Sequence, residues 1–344
     1  MVALPGSRRP VPENAAVDIF RIDSLQAIRR FIADDMTAVD RVIRARLYSE
    51  VALIREVAEH IVGSGGKRLR PALVILAAGA FGYRGKFHHE LAAVVEFIHT
   101  ATLLHDDVVD ASELRRGQLT ANSLFGNPAS VLVGDFLYSR AFQMMLAVDN
   151  PRVMRELADA TNIIAEGEVL QLLNCRNASI DEQSYLQVIR FKTAKLFEAA
   201  MRLGAILGAA TRADEDRVAL YGMHLGTAFQ LIDDVLDYSG DHVETGKNLG
   251  DDLAEGKPTL PLIYAMQNGT PAQAEFVRHA IESSGRNDFQ QVLEAIYETR
   301  ALDYARAQAL VESHMAAAAI ATLPHSNYKD CLLHLADFAV TRTH

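Results

Sequence analysis

The stretch LAAVVEFIHTATLLHDDVVD, Leu91 to Asp110, decides the fold class. It is apolar on almost every side until its acidic end, and it is far too long for a strand. A helix without a polar face belongs inside a layer of other helices. Ala129–Val148 reads the same way, and helix-like patterns recur at Val153–Leu173, Ser184–Ala209, Arg217–Tyr238 and Pro261–Met266, then through the Ala-rich stretch Pro271–His344. Upstream, Leu25, Ile28, Ile32, Met36, Val39, Ile43 and Leu47 begin a three-and-four spacing that continues to Ile61, the pattern of one long amphipathic helix or a broken pair. Gly63–Gly66 ends it, and Pro71 opens the next apolar run within its first turn. Alternating strand patterns are missing. The expectation is an all-α fold: one large bundle of about ten or more helices around a central cavity. It spans residues 21–344, after a flexible tail at 1–20 that carries Pro5, Pro10 and Pro12. Gly240–Pro258, rich in Gly, Asp and Lys, is the most loop-like internal stretch.

Composition narrows the function classes. With 344 residues and 49% hydrophobic content, the chain can bury a substantial core. No apolar run is long enough to span a bilayer, and no apolar signal core precedes the first helix. Two cysteines, Cys175 and Cys331, offer no disulfide framework, so the expected place is the reducing cytoplasm. A net charge of −10 argues against nucleic acid as a partner. It suits an anionic substrate only if carboxylates hold divalent cations that invert the local charge.

Two segments match each other. Asp106-Asp107-Val108-Val109-Asp110 and Asp233-Asp234-Val235-Leu236-Asp237 each end an apolar helix. The first and last Asp of each lie one helical turn apart on one face, where like charges repel and an apolar setting raises the cost. Divalent cations relieve both problems, and magnesium takes hard oxygen ligands at about 2.1 Å. A single triplet is more often a solvated acidic turn; two copies on two apolar helices make that account poor. Basic groups complement them: Gly65-Gly66-Lys67-Arg68-Leu69-Arg70-Pro71, Arg115-Arg116-Gly117, Lys192-Thr193, Lys247 and Gly256-Lys257-Pro258-Thr259. Lys67 and Arg70, after glycines that let backbone approach a ligand, can clamp a diphosphate.

These motifs, in this order, resemble the trans-isoprenyl diphosphate synthases. The likeness runs from about Val51 to about Ala265 and more weakly beyond. The wording of Glu96–His105 and Gly134-Asp135-Phe136 is nearest to bacterial long-chain members, of the octaprenyl type. The resemblance implies magnesium, three ions with substrate bound, held by Asp106, Asp110 and Asp233, with Asp107, Asp234 and Asp237 as near or water-mediated ligands. It implies an allylic diphosphate neutralised by Arg115, Lys192, Lys257 and Lys247, with Thr193 and Gln230 as polar neighbours. Isopentenyl diphosphate falls to Lys67, Arg70, His99 and Arg116; His99 equally suits a buried, hydrogen-bonded histidine. The implied reaction ionises the allylic diphosphate, adds isopentenyl units, and ends at a long all-trans polyprenyl diphosphate, octaprenyl in type, for a quinone side chain. The implied assembly is a homodimer, with transient membrane contact at product release.

Chain length depends on the cavity wall. Ala101 and Thr102, one turn before Asp106, are small. Short-product members of the family that the sequence resembles carry a bulky aromatic near there that blocks the tunnel, so the resemblance implies an open path here. Ile98 lines the next turn, and Phe142, Met144 and Met145 are floor candidates, with ordinary core packing the better account of at least two of the three. Two rivals differ in testable ways. A class I terpene cyclase carries an Asn/Ser/Glu-type second motif and needs no second diphosphate site. A non-catalytic partner subunit should have lost motif charges, and none is missing here.

Overall fold

The computed structural model describes residues 24–63, 66–115, 117–239, 249–285 and 288–342, so the expected tail lies outside the described residues. The amphipathic run from Ser24 divides into three helices rather than one or two: α1 (Leu25–Phe31), α2 (Ala33–Arg46) and α3 (Ala52–Gly63). Ser24 caps α1 through its side chain, and Ile32 breaks the path at φ −106°, ψ 17°. Next come α4 (Leu69–Ala80) and α5 (Phe87–Val109). Pro71 to Ala78 of α4 is buried without interruption, as an all-apolar helix demands.

A two-residue hairpin, β1 (Leu114–Arg115) and β2 (Gln118–Leu119), follows the first acidic triplet. Gly117 turns it at φ +73°. Strands this short leave no alternation to read in sequence. The chain continues through α6 (Ala121–Phe125), α7 (Asn127–Ala147), α8 (Pro151–Asn174) and α9 (Glu182–Ile189). A π-helical turn, Arg190–Ala194, runs straight into α10 (Lys195–Leu207), and α11 (Arg212–Ser239) is the longest helix described. After α12 (Asp251–Ala254) come α13 (Leu260–Asn268), α14 (Pro271–Ser283), α15 (Phe289–Glu298), α16 (Ala301–Ala319) and α17 (Asn327–Thr341).

Two apolar cores meet along α11. The larger joins α1–α8, α10, α17, the first half of α11 and the end of α16; the smaller joins α9, α12–α15, most of α16 and the second half of α11. Leu73, Leu76, Leu91 and Phe97 are wholly buried in the larger one. Each such side chain contributes about 1.5–3 kcal/mol on burial. Packing therefore holds α5 and α11 in place, and both end in a triplet of aspartates. Among the described residues, no helix is long and apolar enough to cross a membrane.

Candidate active site

The first triplet closes α5. Asp107 points inward and is fully buried; one of its oxygens accepts from Arg115 Nε at 2.7 Å, and Nη2 of the same guanidinium lies 2.6 Å from it as an ion pair. Burial pushes its carboxyl pKa up, and Arg115 works against that push. Its other oxygen, Oδ2, is buried without a partner. Asp106 and Asp110, one turn apart, both face the cavity described below. Lys192 Nζ lies 3.5 Å from Asp106, and Lys257 Nζ 3.0 Å from Asp110.

The second triplet closes α11 differently. Asp234 is buried and accepts from Tyr185 Oη at 2.5 Å and from Gln230 Nε2 at 2.8 Å. Burial first, then the charge of Asp252, raises its pKa to about 8, against the pull of those two donors. Asp237 accepts from the backbone N–H of Asp252 at 3.2 Å. Asp233 keeps 43% of its side-chain surface exposed; Nη1 of Arg342 lies 2.8 Å away, close as an ion pair but not aligned as a hydrogen bond.

Two bridges bring the triplets to one cleft. The first is the π-helical turn. Lys192 reaches Asp106, while the adjacent Thr193 donates to Gln230 at 3.1 Å, and Gln230 donates to Asp234. An extra residue in that turn lets neighbouring side chains reach opposite walls. Close approach holds it: a Cβ on Gly167 of α8 would sit 2.6 Å from the Lys192 nitrogen, and one on Gly226 of α11 2.6 Å from the Ala194 Cα. The second bridge is the Gly-Lys-Pro-Thr segment. Lys257 reaches Asp110 by its side chain and donates from its backbone to Asp252 O at 2.8 Å, while Asp252 donates to Asp237.

Both lysines are nearly enclosed and still charged. Burial lowers the pKa of Lys192, and Asp106 and Glu168 outweigh it; Asp110 and Glu255 do the same for Lys257, whose pKa rises further. Glu168 lies 2.5 Å from Lys192, and burial with the charge of Asp106 lifts its pKa to about 7. Sequence reading passed over Glu168, Glu255 and Tyr185, which lie outside the acidic triplets. It passed over Arg342 too, which joins the site only because α17 folds back.

A second basic group stands nearby. Arg70 Nη1 is 3.1 Å from His99 Nε2, and its guanidinium sits 4.5 Å from the centre of the Phe197 ring. Lys67 and Arg342 both sit over Phe229, at 5.3 Å and 3.8 Å. Arg116 and Lys247 lie outside the described residues.

A cavity of about 1200 Å³ opens beside Asp106 and Asp110 and runs between α5, α7 and α8. Thr102, Tyr138, Phe142, Ile164 and Val169 are among its walls. Ala101, Ile98 and Met145 are fully buried in the larger core. The donor set suits magnesium at Asp106, Asp110 and Asp233, hard carboxylates that keep some exposure and whose protein partners are the cations Lys192, Lys257 and Arg342. Asp107 and Asp234 are committed to protein donors.

Comparison with known proteins agrees with this geometry. The sequence profile described as Polyprenyl synthetase matches residues 51–299. The chain is 51% identical to octaprenyl diphosphate synthase of Escherichia coli K12 over 93% of its length and 99% of that protein. A polyprenyl synthase from Caulobacter crescentus, solved with calcium and isoprenyl diphosphate, superposes at a TM-score of 0.90 with 44% identity, covering 93% of this chain and 98% of that one. A decaprenyl diphosphate synthase from Rhodobacter capsulatus superposes at 0.88 with 45% identity, covering 93% of this chain and 100% of that one.

Proposed function

The chain belongs to the polyprenyl synthetase family, and from that premise we propose that it is a magnesium-dependent, long-chain trans-prenyltransferase. It condenses isopentenyl diphosphate onto an allylic diphosphate, farnesyl diphosphate being the proposed primer. The product is a polyprenyl diphosphate of octaprenyl length for a quinone side chain. One observation carries the reading: two aspartate triplets end separate helices and are joined through Lys192, Thr193 and Gln230 and through Lys257 and Asp252, and the outer aspartates of the first, each facing a lysine, stand beside a cavity of about 1200 Å³.

When bound, magnesium takes up the charge that develops on a departing diphosphate; Asp106, Asp110 and Asp233 would hold it, three ions in all. The chain's own residues do the rest. Lys192 and Lys257 already stand charged at the two carboxylates and stabilise the diphosphate as its C–O bond breaks. Arg115 locks Asp107, which fixes the end of α5 and so the direction of Asp106 and Asp110. Thr193 and Gln230 orient the same diphosphate. Lys67, Arg70 and His99 hold isopentenyl diphosphate, with its double bond toward the allylic carbon; Arg116 and Lys247 are proposed to add to the two diphosphate sites. The growing chain enters the cavity past Thr102 toward Phe142, which keeps water from the allylic cation.

Exposed leucines on α7 and α8, Leu132, Leu146, Leu172 and Leu173, support a homodimer through those helices. Its proposed place is the cytoplasm, with passing membrane contact as product leaves. The test incubates purified protein with radiolabelled isopentenyl diphosphate, farnesyl diphosphate and magnesium, beside an EDTA control. A metal-dependent ladder ending at one long length supports the reading. Cyclisation or hydrolysis of a single diphosphate, without incorporation, overturns it.

A further inference from the structure

At the opposite end of α5 from the aspartates, three ligand-type side chains converge. His88 and His89 stand in the first turn of α5, and Asp35 in the first turn of α2. Nε2 of His89 lies 2.8 Å and Nε2 of His88 3.2 Å from the same oxygen, Oδ1 of Asp35. One donor atom from each of the three residues lies within 4.8 Å of the others. Neighbouring helical residues diverge by about 100°, yet these two rings lie with centroids 3.8 Å apart and aim at one point.

We infer that Asp35, His88 and His89 form a site for one divalent transition ion of the zinc class, separate from the diphosphate site. The donor set decides the ion: two imidazoles and one carboxylate suit zinc, whereas magnesium prefers oxygen alone. Zinc bonds of about 2.0–2.1 Å in a tetrahedron set ligand atoms roughly 3.3 Å apart. The two observed N···O separations already approach that spacing. The side chains of His88, His89 and Asp35 keep 13%, 22% and 34% of their surface, which leaves solvent a fourth position and an entry path. Nδ1 of His88 is buried and makes no well-formed hydrogen bond. An ion on Nε2 would leave Nδ1 as the protonated nitrogen, turned toward the backbone near Gly85. Tyr83 packs against the ring of His88 at 5.5 Å and limits its rotation. The ion ties α2 to the start of α5. Asp106 lies roughly 25 Å further along that helix, so the site acts as a clamp and touches no substrate.

The test uses untagged, full-length protein stripped of metal and held in millimolar magnesium. Zinc is titrated by calorimetry and cobalt by visible absorption, in wild type and in the variants H88Q, H89Q and D35N. Wild type should take one more zinc per chain than each variant and give a cobalt band that zinc abolishes. Zinc should raise its Tm by a few degrees, and each variant should lose all three effects while keeping prenyl transfer. Equal stoichiometry and equal Tm shifts in wild type and variants overturn the site, as does a wild type with no cobalt band. Should either histidine variant fail to fold by circular dichroism, D35N, nearly isosteric and partly exposed, decides the matter alone.

Discussion

Asp106-Asp107-Val108-Val109-Asp110 and Asp233-Asp234-Val235-Leu236-Asp237 are near copies in sequence, and the fold treats them differently. In the first, the buried middle aspartate is met by a full charge, Arg115, and the outer two each face an enclosed lysine. In the second, the buried aspartate is met by neutral donors, Tyr185 and Gln230, and the last accepts from backbone. A carboxylate beside a guanidinium pays less to stay ionised than one beside a phenol and an amide. The first triplet is thus built to carry charge into the cleft; in the second, Asp233 is partly exposed and meets a full charge, Arg342.

The comparison breaks most sharply at its outer residues. Asp106→Ala should lower kcat by about 10³-fold, since it removes a carboxylate that matters most as the diphosphate departs. Asp237→Ala, which loses a loop contact, should cost about tenfold; equal losses in steady-state assays would erase the distinction. Next come the bridges. Lys192→Ala and Lys257→Ala should each lower kcat by about 10²-fold with smaller changes in KM. A change confined to KM would assign those lysines to ground-state binding.

Asp234→Asn sharpens the contrast through pH. The folded pKa of Asp234 is about 8, above the unfolded value of about 3.9. Between those values the folded chain holds a proton that the unfolded chain has lost, so this residue makes stability fall as pH rises from about 4 to about 8. Denaturant melts of metal-free Asp234→Asn should flatten that slope, while activity at pH 7 falls less than about tenfold because an amide resembles the neutral acid. An unchanged slope would place the charge on another group. The smallest effect on turnover is expected at the cavity wall. Thr102→Phe should shorten the main product on a chain-length gel with kcat within about tenfold; Ala101→Phe should shorten it too, but must first displace core packing, at about 1–3 kcal/mol.

Helices were legible wherever the apolar pattern was long, as in α5, α7 and α8, because a 3.6-residue period repeats many times there. Breaks that depend on one residue's dihedrals, such as Ile32, and the short hairpin carrying Arg115 leave too few residues for any period. The site was legible as residue types in order: acidic triplets, a Gly-Gly-Lys segment, Lys-Thr and Gly-Lys-Pro-Thr. Glu168 and Arg342 carry no such pattern.

By itself the sequence determined an all-α chain, two helices ending in aspartate triplets, and the set of cations available to meet them, since these follow from local periodicity and residue chemistry. Only the tertiary structure decided which cation meets which aspartate, that Asp107 and Asp234 turn inward, and that Asp35 joins His88 and His89. Those outcomes depend on contacts between residues far apart in the chain, where burial and distance set each group's charge.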